Sequence, residues 1–469
     1  MWPDALRVQA PHFSAAEPMA IWQRRLLAVL VTSILIGMVV SPDLSATLLM
    51  AVLTPIFLCV AFLRATALWV FTRMPPVAHA PAVPAAEPLP IYSILVPLYA
   101  EAHMAGSLVA ALERIDWPPD RRDFIFITET GDDATRLALE AVIGNRVGMR
   151  IIVVPPGNPR TKPRALMYAL PHAIGELVVV FDAEDEPEPG QLREAFRRFY
   201  FSGPELGCLQ ARLNIYNVRA SLITRQFTLE YTALFDALLP AVEHLRLPLP
   251  LGGTSNHFRR HVLDECGGWD PYNVTEDADL GFRLARLGYR VAMLNSTTWE
   301  EAPPTIRGWT GQRSRWLKGW MQTTLVHLRD PARLRSELGT RGFLGFNILM
   351  GGVIFSALVH PLVYAYALWK LATGDLTLWP PDGWPAVFWW AGAANLMVAY
   401  VVGIALAMIC GWRRHGPRLA FHALLLPIYW LMISFAAYRA VFDLARQPFH
   451  WRKTAHKGKA GAYRRNSSE

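Results

Sequence analysis

The sequence predicts an α/β domain with a mostly parallel, doubly wound sheet, preceded and followed by α-helical membrane segments. Of the 469 residues, 52% are hydrophobic and only 18% are charged, whereas soluble proteins carry about 25% charged residues. The longest apolar stretches lie near the two ends of the chain, and short β-rich runs alternate with helical stretches between them. These observations favour a membrane protein with a large soluble domain and exclude a disordered or collagen-like chain.

Two apolar stretches near the N terminus predict a transmembrane hairpin within residues 1–73. Residues 26–40 and 44–63 contain no charged residue. The second stretch is long enough to cross a bilayer, which needs about 20 residues. A cleaved signal peptide is the alternative interpretation, but the second stretch follows too closely. Arginines on both flanks indicate that both ends of the hairpin are cytoplasmic.

The middle of the chain has the pattern of an α/β domain. Residues 74–90 are rich in Pro and Ala and predict a semi-rigid linker. The β-rich runs that follow are IYSILVPLY, DFIFITE, RIIVVP, ELVVVFD and GCLQARLNIY. Continuous apolar strands separated by helices are typical of a parallel sheet that is covered on both faces. We expect this domain at residues 91–305, followed by interfacial helices at 306–342.

The C-terminal part of the chain poses a topological problem. Residues 343–445 hold apolar stretches at 343–369, 384–412 and 419–438, and a basic tail follows at 446–469. Three crossings would place this tail opposite the cytoplasmic domain, although basic segments normally stay inside. Pro427 interrupts the last stretch, which therefore predicts a re-entrant hairpin or an interfacial helix.

Charge, cysteines and missing motifs narrow the class of protein. The net charge of +8 fits nucleic acid, anionic lipid or a phosphorylated ligand without choosing among them. The chain is too apolar for a nucleic-acid-binding module, so we expect no nucleic acid partner. The four cysteines form no CxxC pair, which argues against a disulfide framework or zinc ribbon. Hydride transfer, P-loop hydrolysis and serine hydrolysis lack their motifs.

An acidic turn follows one of the predicted strands. In VVVFDAEDEPEPG, the residues Asp182, Glu184, Asp185 and Glu186 come directly after the apolar run. Ligands of open parallel sheets bind outside the carboxyl ends of the strands, and carboxylates there suit Mg²⁺ or Mn²⁺. We favour a metal site over the alternative, a solvated acidic turn.

A second acidic motif lies at the start of a predicted helix. Glu276 and Asp277 precede an apolar face that contains Leu280, Phe282 and Leu284. Acidic residues at this position often cap the helix or interact with its dipole. The functional alternative is a general base that takes a proton from an attacking hydroxyl. The local sequence does not decide between the two.

A third motif, RGWTGQRSRWLKGWMQ, interleaves basic and aromatic residues directly before a membrane segment. One interpretation is an amphipathic helix at the lipid interface. The other places Arg313 or Arg315 on a diphosphate and Trp316 on a sugar ring, because guanidinium groups match phosphate geometry. Both interpretations can hold together.

Weaker signals lie between these motifs. Lys162 leads into a predicted helix, where it could pair with a phosphate, and Glu129 ends a strand, where it could accept from a base N–H or a ribose hydroxyl. Gly252 and Gly253 permit a ligand to approach the backbone closely. We interpret His257 as a packing or hydrogen-bonding residue and not as a metal ligand.

The order of these motifs resembles that of the processive, membrane-embedded family 2 glycosyltransferases, the group that contains cellulose, hyaluronan and chitin synthases. An acidic turn, Thr275-Glu276-Asp277, the QRSRW string and a membrane helix follow one another, so the resemblance covers residues 92–316 and the flanking membrane segments. FDAEDEPEPGQL and GGTSNHF resemble a bacterial branch that includes mixed-linkage β-glucan synthases. The resemblance implies a GT-A fold for the α/β domain.

The resemblance also implies roles for individual residues. Asp277, with Glu276 beside it, would be the catalytic base, and Asp182 and Glu184 would bind Mg²⁺ or Mn²⁺. The residues implied at the nucleotide are Pro97, Tyr99, Glu101, Glu129, Lys162 and Asp182. Those implied at the diphosphate and the acceptor are Gly253, Thr254, Gln312, Arg313, Arg315 and Trp316.

Three features depart from the family pattern. Glu184 replaces the second Asp of the metal-binding motif, and Asp185 competes with it for the metal. Glu129 stands where the family has an Asp at the uracil. The tail is too short for a cyclic-di-GMP-binding domain, so we expect such regulation only through another subunit.

The implied function is inverting transfer of a sugar, expected to be glucose, from a UDP-sugar onto a growing β-linked polysaccharide. The polymer would leave through the membrane helices of a bacterial inner-membrane protein with a cytoplasmic catalytic domain. Its partners would be the UDP-sugar, the glycan acceptor, membrane lipid and a periplasmic or regulatory subunit. Two alternatives stay open: transfer of one sugar to polyprenyl phosphate or another lipid, and a nucleotide-binding component without turnover.

Overall fold

The structure, a computed structural model, describes residues 4–74, 79–84, 87–373, 383–451, 453–454 and 458. Part of the predicted linker and most of the predicted tail therefore lie outside the described residues. A mixed sheet with helices on both faces forms the centre of the molecule, and long apolar helices come before and after it.

The N-terminal helices form the expected hairpin and return the chain to the α/β domain. They are α1 (Ala5–Gln9), α2 (Ile21–Val40) and α3 (Pro42–Arg73). The segment before α2 packs on the domain: the Ser14 hydroxyl and the Ala15 N–H donate to Asp270 over 3.1 and 2.5 Å. Because α3 leads into the same domain, both ends of the hairpin lie on one side.

The described residues form a sheet of eight strands. The strands are β1 (Tyr92–Pro97), β2 (Arg122–Glu129), β3 (Met149–Val154), β4 (Leu177–Val180), β5 (Glu186–Pro187), β6 (Leu206–Ile215), β7 (Asn256–Arg259) and β8 (Arg290–Glu300). Their order is β3-β2-β1-β4-β7-β6-β8-β5. The strands β3, β2, β1 and β4 are parallel, as are β6 and β8, whereas β7 and β5 run antiparallel to their neighbours. The predicted, mostly parallel sheet is confirmed.

Helices cover both faces of this sheet. They are α4 (Ala105–Glu113), α5 (Asp133–Ile143), α6 (Lys162–Ala169), α7 (Gln191–Tyr200), α8 (Leu222–Ala233), α9 (Leu239–His244), α10 (Arg260–Glu265) and α11 (Glu276–Arg286). Side chains of β1 alternate between two cores, with Leu95 in one and Ile94 and Val96 in the other. This alternation follows from the two-residue period of a strand, and burial on both faces explains the continuous apolar runs in the sequence.

The strands that sequence patterns did not predict are held by buried polar contacts. The ring of His257 in β7 bonds to the Tyr92 hydroxyl at 2.6 Å and to Gln191 at 3.1 Å. In β8, the Thr298 hydroxyl bonds to that of Ser255 at 2.7 Å. Burial lowers the pKa of His257 to about 3, so it is a neutral hydrogen-bonding residue, as its interpretation from the sequence stated.

The C-terminal helices begin with the one that carries the QRSRW string. They are α12 (Ile306–His327), α13 (Pro331–Phe346), α14 (Gly352–Ala372), α15 (Trp384–His415), α16 (Pro417–Ala420) and α17 (Leu426–Arg446). Across the described part of the chain, five segments are long and apolar enough to cross a membrane. They are Ile21–Val40, Leu44–Arg73, Pro331–Tyr366, Ala386–His415 and Pro417–Arg446. The chain is therefore that of a membrane protein with a large α/β domain.

Both ends of α17 contact the part of the molecule that contains the α/β domain. Before its start, Gln226 of α8 donates to the carbonyl of His422 over 2.8 Å. After its end, Lys318 of α12 donates to the carbonyls of Gln447 and His450 over 3.0 and 2.9 Å. A helix that crossed the membrane once would have its two ends on opposite sides, so these contacts argue against a single crossing.

The two faces of α17 fit a helix that lies at an interface. Ala436, Ala437 and Ala440 are buried in a cluster with Leu317 and Met321 of α12. The exposed large hydrophobics on the outer face recur at helical spacing and include Ile428, Leu431, Phe435, Tyr438 and Phe442. This pattern is typical of a helix with one face on protein and the other in lipid. It supports the predicted interfacial helix over a re-entrant hairpin.

Candidate active site

A cavity of about 850 Å³ opens at the carboxyl ends of the parallel strands. Pro97 at the end of β1, Glu129 at the end of β2 and Asp182 directly after β4 line its wall, at the sheet edge where such folds bind ligands. All the residues implied by the resemblance line this one cavity. They are Pro97, Tyr99, Glu101, Glu129, Lys162, Asp182, Glu184, Gly253, Thr254, Glu276, Asp277, Gln312, Arg313, Arg315 and Trp316.

Lys162, at the start of α6, links two of the predicted motifs. Its ammonium donates to a carboxylate oxygen of Asp182 and, over 2.8 Å, to the carbonyl of Gly253. Burial lowers the pKa of Lys162, but attraction to Asp182, Glu276 and Asp277 outweighs burial and raises the pKa above its usual value. A positive charge is therefore held among the carboxylates, where a diphosphate would be attracted.

Asp185 supports the acidic turn and does not line the cavity. Its Oδ2 accepts a hydrogen bond from the Asp182 N–H at 2.7 Å and another from the Thr254 hydroxyl. The Thr254 hydroxyl also lies 3.2 Å from the carbonyl of Val180. Asp185 and Thr254 thus connect the acidic turn to the loop that contains Gly252 and Gly253. Thr254 was predicted near the acceptor, but its hydroxyl is occupied by this contact.

The carboxylates around this turn are electrostatically crowded. Burial, followed by repulsion from neighbouring carboxylates, raises the pKa values of Glu184, Asp185 and Glu300. Two buried oxygens, Asp185 Oδ1 and Glu300 Oε1, have no hydrogen-bond partner. A divalent cation would relieve this repulsion, so the donor set fits the predicted metal ion. Glu300 was not predicted, because a Glu after the polar run at the end of β8 carries no local signal.

The protein alone does not supply a complete set of metal ligands. No group of three or more His, Cys, Asp or Glu in the described ranges converges as a metal site. Mg²⁺ is commonly held by one or two carboxylates together with substrate phosphates. Asp182 and Glu184 fit that role, with the remaining ligands expected from the donor diphosphate.

Two adjacent carboxylates occupy the first turn of α11, as predicted. Glu276 is buried, and burial together with the charge of Asp277 raises its pKa to about 8. Burial also raises the pKa of Asp277, opposed by the Ala278 N–H, which donates to Oδ1 over 2.8 Å, and by the charges of Lys162 and Arg315. The pair can hold one neutral and one ionised carboxyl group near pH 7, as a general base requires.

Two glycines bring α11 against its neighbours. A Cβ at Gly281 would lie 2.4 Å from the carbonyl oxygen of Leu249, in the segment that leads to Gly253. A Cβ at Gly319 of α12 would lie 2.7 Å from the backbone nitrogen of Thr275. These approaches hold the acidic motif beside the QRSRW helix. Both glycines were missed, although a glycine inside a helix, which costs about 1 kcal/mol relative to Ala, is a signal in itself.

The two arginines of the QRSRW string have different surroundings. Arg315 donates to the carbonyl of Val274 over 3.3 Å. Burial lowers the pKa of Arg315, while attraction to Glu276 and Asp277 opposes this shift. Arg313 instead forms two hydrogen bonds with Glu230, at 2.9 and 2.5 Å. Of the two arginines predicted at the diphosphate, Arg315 therefore faces the acidic motif, whereas Arg313 is committed to Glu230.

The segment after α17 also lines the cavity. The guanidinium of Arg315 lies 4.3 Å from the centre of the Trp451 ring, and Lys453 pairs with Glu101 over 3.0 Å. Phe449 and His450 are further lining residues. Sequence analysis predicted only a basic cytoplasmic tail here, because its positive charges are equally typical of a membrane flank.

The predicted nucleobase residues form a small cluster beside Lys453, whose ammonium lies 5.7 Å from the centre of the Tyr99 ring. Arg160 pairs with Glu129, and its guanidinium lies 4.5 Å from the centre of the Tyr99 ring. A carboxylate, a guanidinium and an aromatic ring provide an acceptor, a donor and a stacking surface for a base. Arg160 was not predicted, since a lone Arg in a loop has no distinguishing pattern.

The sheet, the acidic turn, the carboxylate pair on α11 and the basic helix α12 meet at one cavity, and this architecture is that of the GT-A class. Residues 89–319, just under half of the chain, match the family model described as "Glycosyltransferase like family 2". This region is therefore similar to family 2 glycosyltransferase domains. The predicted fold class is confirmed.

Curated relatives include glycosyltransferases with different named acceptors. The chain is 24% identical over 57% of its length to a "Probable glycosyltransferase YdaM" of Bacillus subtilis, of which it covers 66%. It is 28% identical over 50% of its length to "Probable glucomannan 4-beta-mannosyltransferase 10" of Arabidopsis thaliana, covering 43% of that protein. It is 28% identical over 60% of its length to the "Beta-monoglucosyldiacylglycerol synthase" of Synechocystis, covering 58%.

These relatives do not assign the chain to the processive branch. The chain spans less than two thirds of the length of each relative named above. Among solved structures, a mannosyltransferase from Pyrobaculum calidifontis, in complex with GDP-Man and Mn²⁺, superposes with a TM-score of 0.47 and 21% identity. That comparison covers 74% of this chain and 98% of the other.

Proposed function

We propose that this protein transfers a hexose, with inversion, from a UDP-sugar to an acceptor hydroxyl held beside Asp277. The observation that carries the proposal is that Asp182, Asp277 and Arg315, distant in sequence, line one cavity. If these three side chains faced separate cavities, Asp182, Asp277 and Arg315 could not act on the same substrate. Glu129, Tyr99 and Arg160 would bind the uracil base at one end.

The proposed reaction uses the ionised carboxylate of Asp277 as the base. Asp277 takes the proton of the acceptor hydroxyl, whose oxygen attacks the anomeric carbon of the sugar. The bond between that carbon and the UDP oxygen breaks on the opposite face, so an α-linked donor gives a β-linked product. Lys162 and Arg315 stabilise the negative charge that develops on the departing UDP.

A divalent metal ion, Mg²⁺ or Mn²⁺, would be held by Asp182 and Glu184. When bound, it would supply positive charge at the diphosphate. Lys162 already pairs with Asp182, so this lysine and the metal ion would share the acidic turn.

For the acceptor, we propose a growing β-linked glycan that leaves through the membrane helices. Trp316 lies near Tyr231, with ring centres 6.1 Å apart, and both rings line the cavity. Aromatic rings suit the apolar faces of sugars. The α/β domain would lie in the cytoplasm of a bacterial inner-membrane protein, and the periplasmic or regulatory subunit stays a prediction.

A lipid acceptor is the second candidate, favoured by one wall of the cavity. Two π-helical turns, Leu234–Leu238 and Asn347–Gly351, contribute aliphatic side chains to the lining. Both turns also contact α3, one of the candidate membrane spans. Aliphatic side chains leave sugar hydroxyls unsatisfied but suit an acyl or prenyl chain. The relative from Synechocystis is named as a synthase of a glycolipid.

The test supplies the purified full-length protein with radiolabelled UDP-glucose, UDP-N-acetylglucosamine or GDP-mannose, with native membranes as the acceptor source. We expect incorporation from a UDP-sugar and its loss in EDTA with recovery on added Mg²⁺ or Mn²⁺. Solvent extraction and linkage-specific glycanases separate a polymer from a glycolipid. Absence of turnover with every donor would contradict the proposed function.

A further inference from the structure

We propose that Glu230 is an acceptor-positioning residue, which holds Arg313 in place and through it the indole of Trp316. Glu230 lies on α8 and lines the cavity, but no sequence motif singles it out. The proposal rests on the proposed function, because it requires Trp316 to contact the acceptor. Under this proposal, Glu230 affects how the acceptor is held and does not affect how the donor is bound.

The ion pair of Glu230 and Arg313 has the geometry of a specific contact. Arg313 Nη1 donates to Glu230 Oε1 over 2.9 Å, and Nη2 donates to Oε2 over 2.5 Å. The Arg313 side chain is 4% exposed and that of Glu230 is 28% exposed. A two-pronged pair fixes the plane of the guanidinium as well as its position. Without Glu230, Arg313 would be a buried cation lacking its counter-charge.

A hydroxyl from α17 completes the arrangement. The Tyr429 O–H donates to Glu230 Oε2 over 2.7 Å. The Tyr429 hydroxyl oxygen in turn accepts from Trp309 Nε1 at 2.9 Å and from Arg313 Nη2 at 3.1 Å. Glu230 on α8 is thus held by side chains from two other helices, α12 and α17, which restrict its movement.

The position of Arg313 affects Trp316, because the guanidinium packs against the indole ring. The centre of its guanidinium lies 4.8 Å from the Trp316 ring, 5.5 Å from the Trp309 ring and 5.6 Å from the Phe227 ring. Cations are attracted to aromatic faces at such distances. The orientation of the indole therefore depends on where the guanidinium is held, and Glu230 holds it.

Among the described residues, the side chain of Glu230 bonds to Arg313 and Tyr429 and not to the donor-side residues. The Lys162 ammonium bonds to Asp182 and Gly253, and Glu129 pairs with Arg160. Loss of the Glu230 charge should therefore leave UDP binding and hydrolysis of the donor by water intact, while transfer to the acceptor falls. This separation distinguishes a positioning role from a general loss of structure.

The experiment compares Glu230→Gln with the wild type in native membrane vesicles that carry the full-length protein. Labelled UDP-sugar is added, and the label transferred to membrane-bound product is divided by the label released as free sugar. We expect this ratio to fall about tenfold, the size expected for loss of a charged hydrogen bond, with UDP affinity unchanged. Tyr429→Phe should lower the ratio in the same direction by a smaller factor.

Glu140→Gln is the matched control, because Glu140 is an exposed carboxylate on α5 that pairs with Arg136; its ratio should equal that of the wild type. An unchanged ratio in Glu230→Gln would overturn the proposal, as would an equal fall in transfer, hydrolysis and UDP affinity. If the wild type neither transfers nor hydrolyses any donor, the proposed function itself fails, which is a distinguishable result.

Discussion

At the residue scale, the site depends on two adjacent carboxyl groups with different surroundings. Glu276 is buried beside the charge of Asp277, and its pKa rises to about 8. Asp277 is half-buried, and the Ala278 N–H, Lys162 and Arg315 all favour its ionised form. At neutral pH the pair is expected to carry one negative charge, located mainly on Asp277, which is the state that a base requires.

Replacing Asp277 by Asn should abolish transfer while UDP binding survives. The amide keeps the shape of the side chain but accepts no proton, and general-base catalysis is worth about 10²- to 10⁴-fold. The measurement is label transfer together with UDP binding by calorimetry. Near-normal turnover in this variant would remove Asp277 from the mechanism.

The rate should fall on the acid side at a pH above the ordinary aspartate value of about 3.9. Burial raises the pKa of Asp277, so protonation inactivates the base as pH falls through that raised value. Lys162→Met removes an ammonium that lowers this pKa and should move the acid limb to higher pH. The measurement is kcat against pH at saturating donor.

Arg136→Met, which removes a half-buried cation on α5 that pairs with Asp133 and Glu140, is the control for this pH profile and should leave it unchanged. If the acid limb of kcat against pH does not move in Lys162→Met, a group other than Asp277 controls the pH dependence.

At the element scale, the position of α12 relative to α11 determines whether the site exists. Arg315 and Trp316 are on α12, whereas Glu276 and Asp277 are on α11. The two helices approach each other at Gly319, where there is no space for a Cβ beside the Thr275 backbone. The distance between Asp277 and Arg315 therefore depends on Gly319, which does not itself line the cavity.

Gly319→Ala should reduce both stability and transfer. An added methyl group must displace backbone, and overpacking of a buried site costs about 1–3 kcal/mol. The measurements are thermal unfolding in detergent and label transfer. Gly106→Ala in α4 is the matched control, since a Cβ there meets nothing within 4 Å. Normal activity in Gly319→Ala would show that α12 tolerates displacement.

At the scale of the whole molecule, the last apolar helix turns back along the α/β domain. Its preceding segment contacts α8 and its following segment contacts α12, and the chain then lines the cavity with Trp451 and Lys453. These contacts predict an even number of membrane crossings, with α17 at the membrane interface. We expect the described basic residues after α17 on the same side of the membrane as the α/β domain, as the distribution of positive charge favours.

Single cysteines at Arg418 and at Gln447, in a background without the four native cysteines, should react with a membrane-impermeant maleimide from the same side. A cysteine at Arg136, on the α/β domain, is the reference for that side. Labelling is compared in inverted and right-side-out vesicles. Reaction of the two positions from opposite sides would mean that α17 crosses the membrane.

Much of the site was recognisable from local patterns. Asp182 follows an apolar strand, Glu276 and Asp277 open an amphipathic helix, and Arg315 lies in a basic and aromatic string. These signals are short-range, because strand ends and helix starts are visible in a few neighbouring residues. The residues that escaped prediction, Glu230 and Glu300 among them, act only through partners far away in the chain.

The sequence by itself determined the α/β domain, the apolar helices and which polar side chains are candidates for the site, because periodicity and residue type act locally. Only the tertiary structure decided that Arg313 pairs with Glu230 while Arg315 faces Asp277, although two positions separate these arginines. It also decided that α17 returns to the domain. Such choices depend on the packing of distant elements, and no local pattern records which buried charge meets which partner.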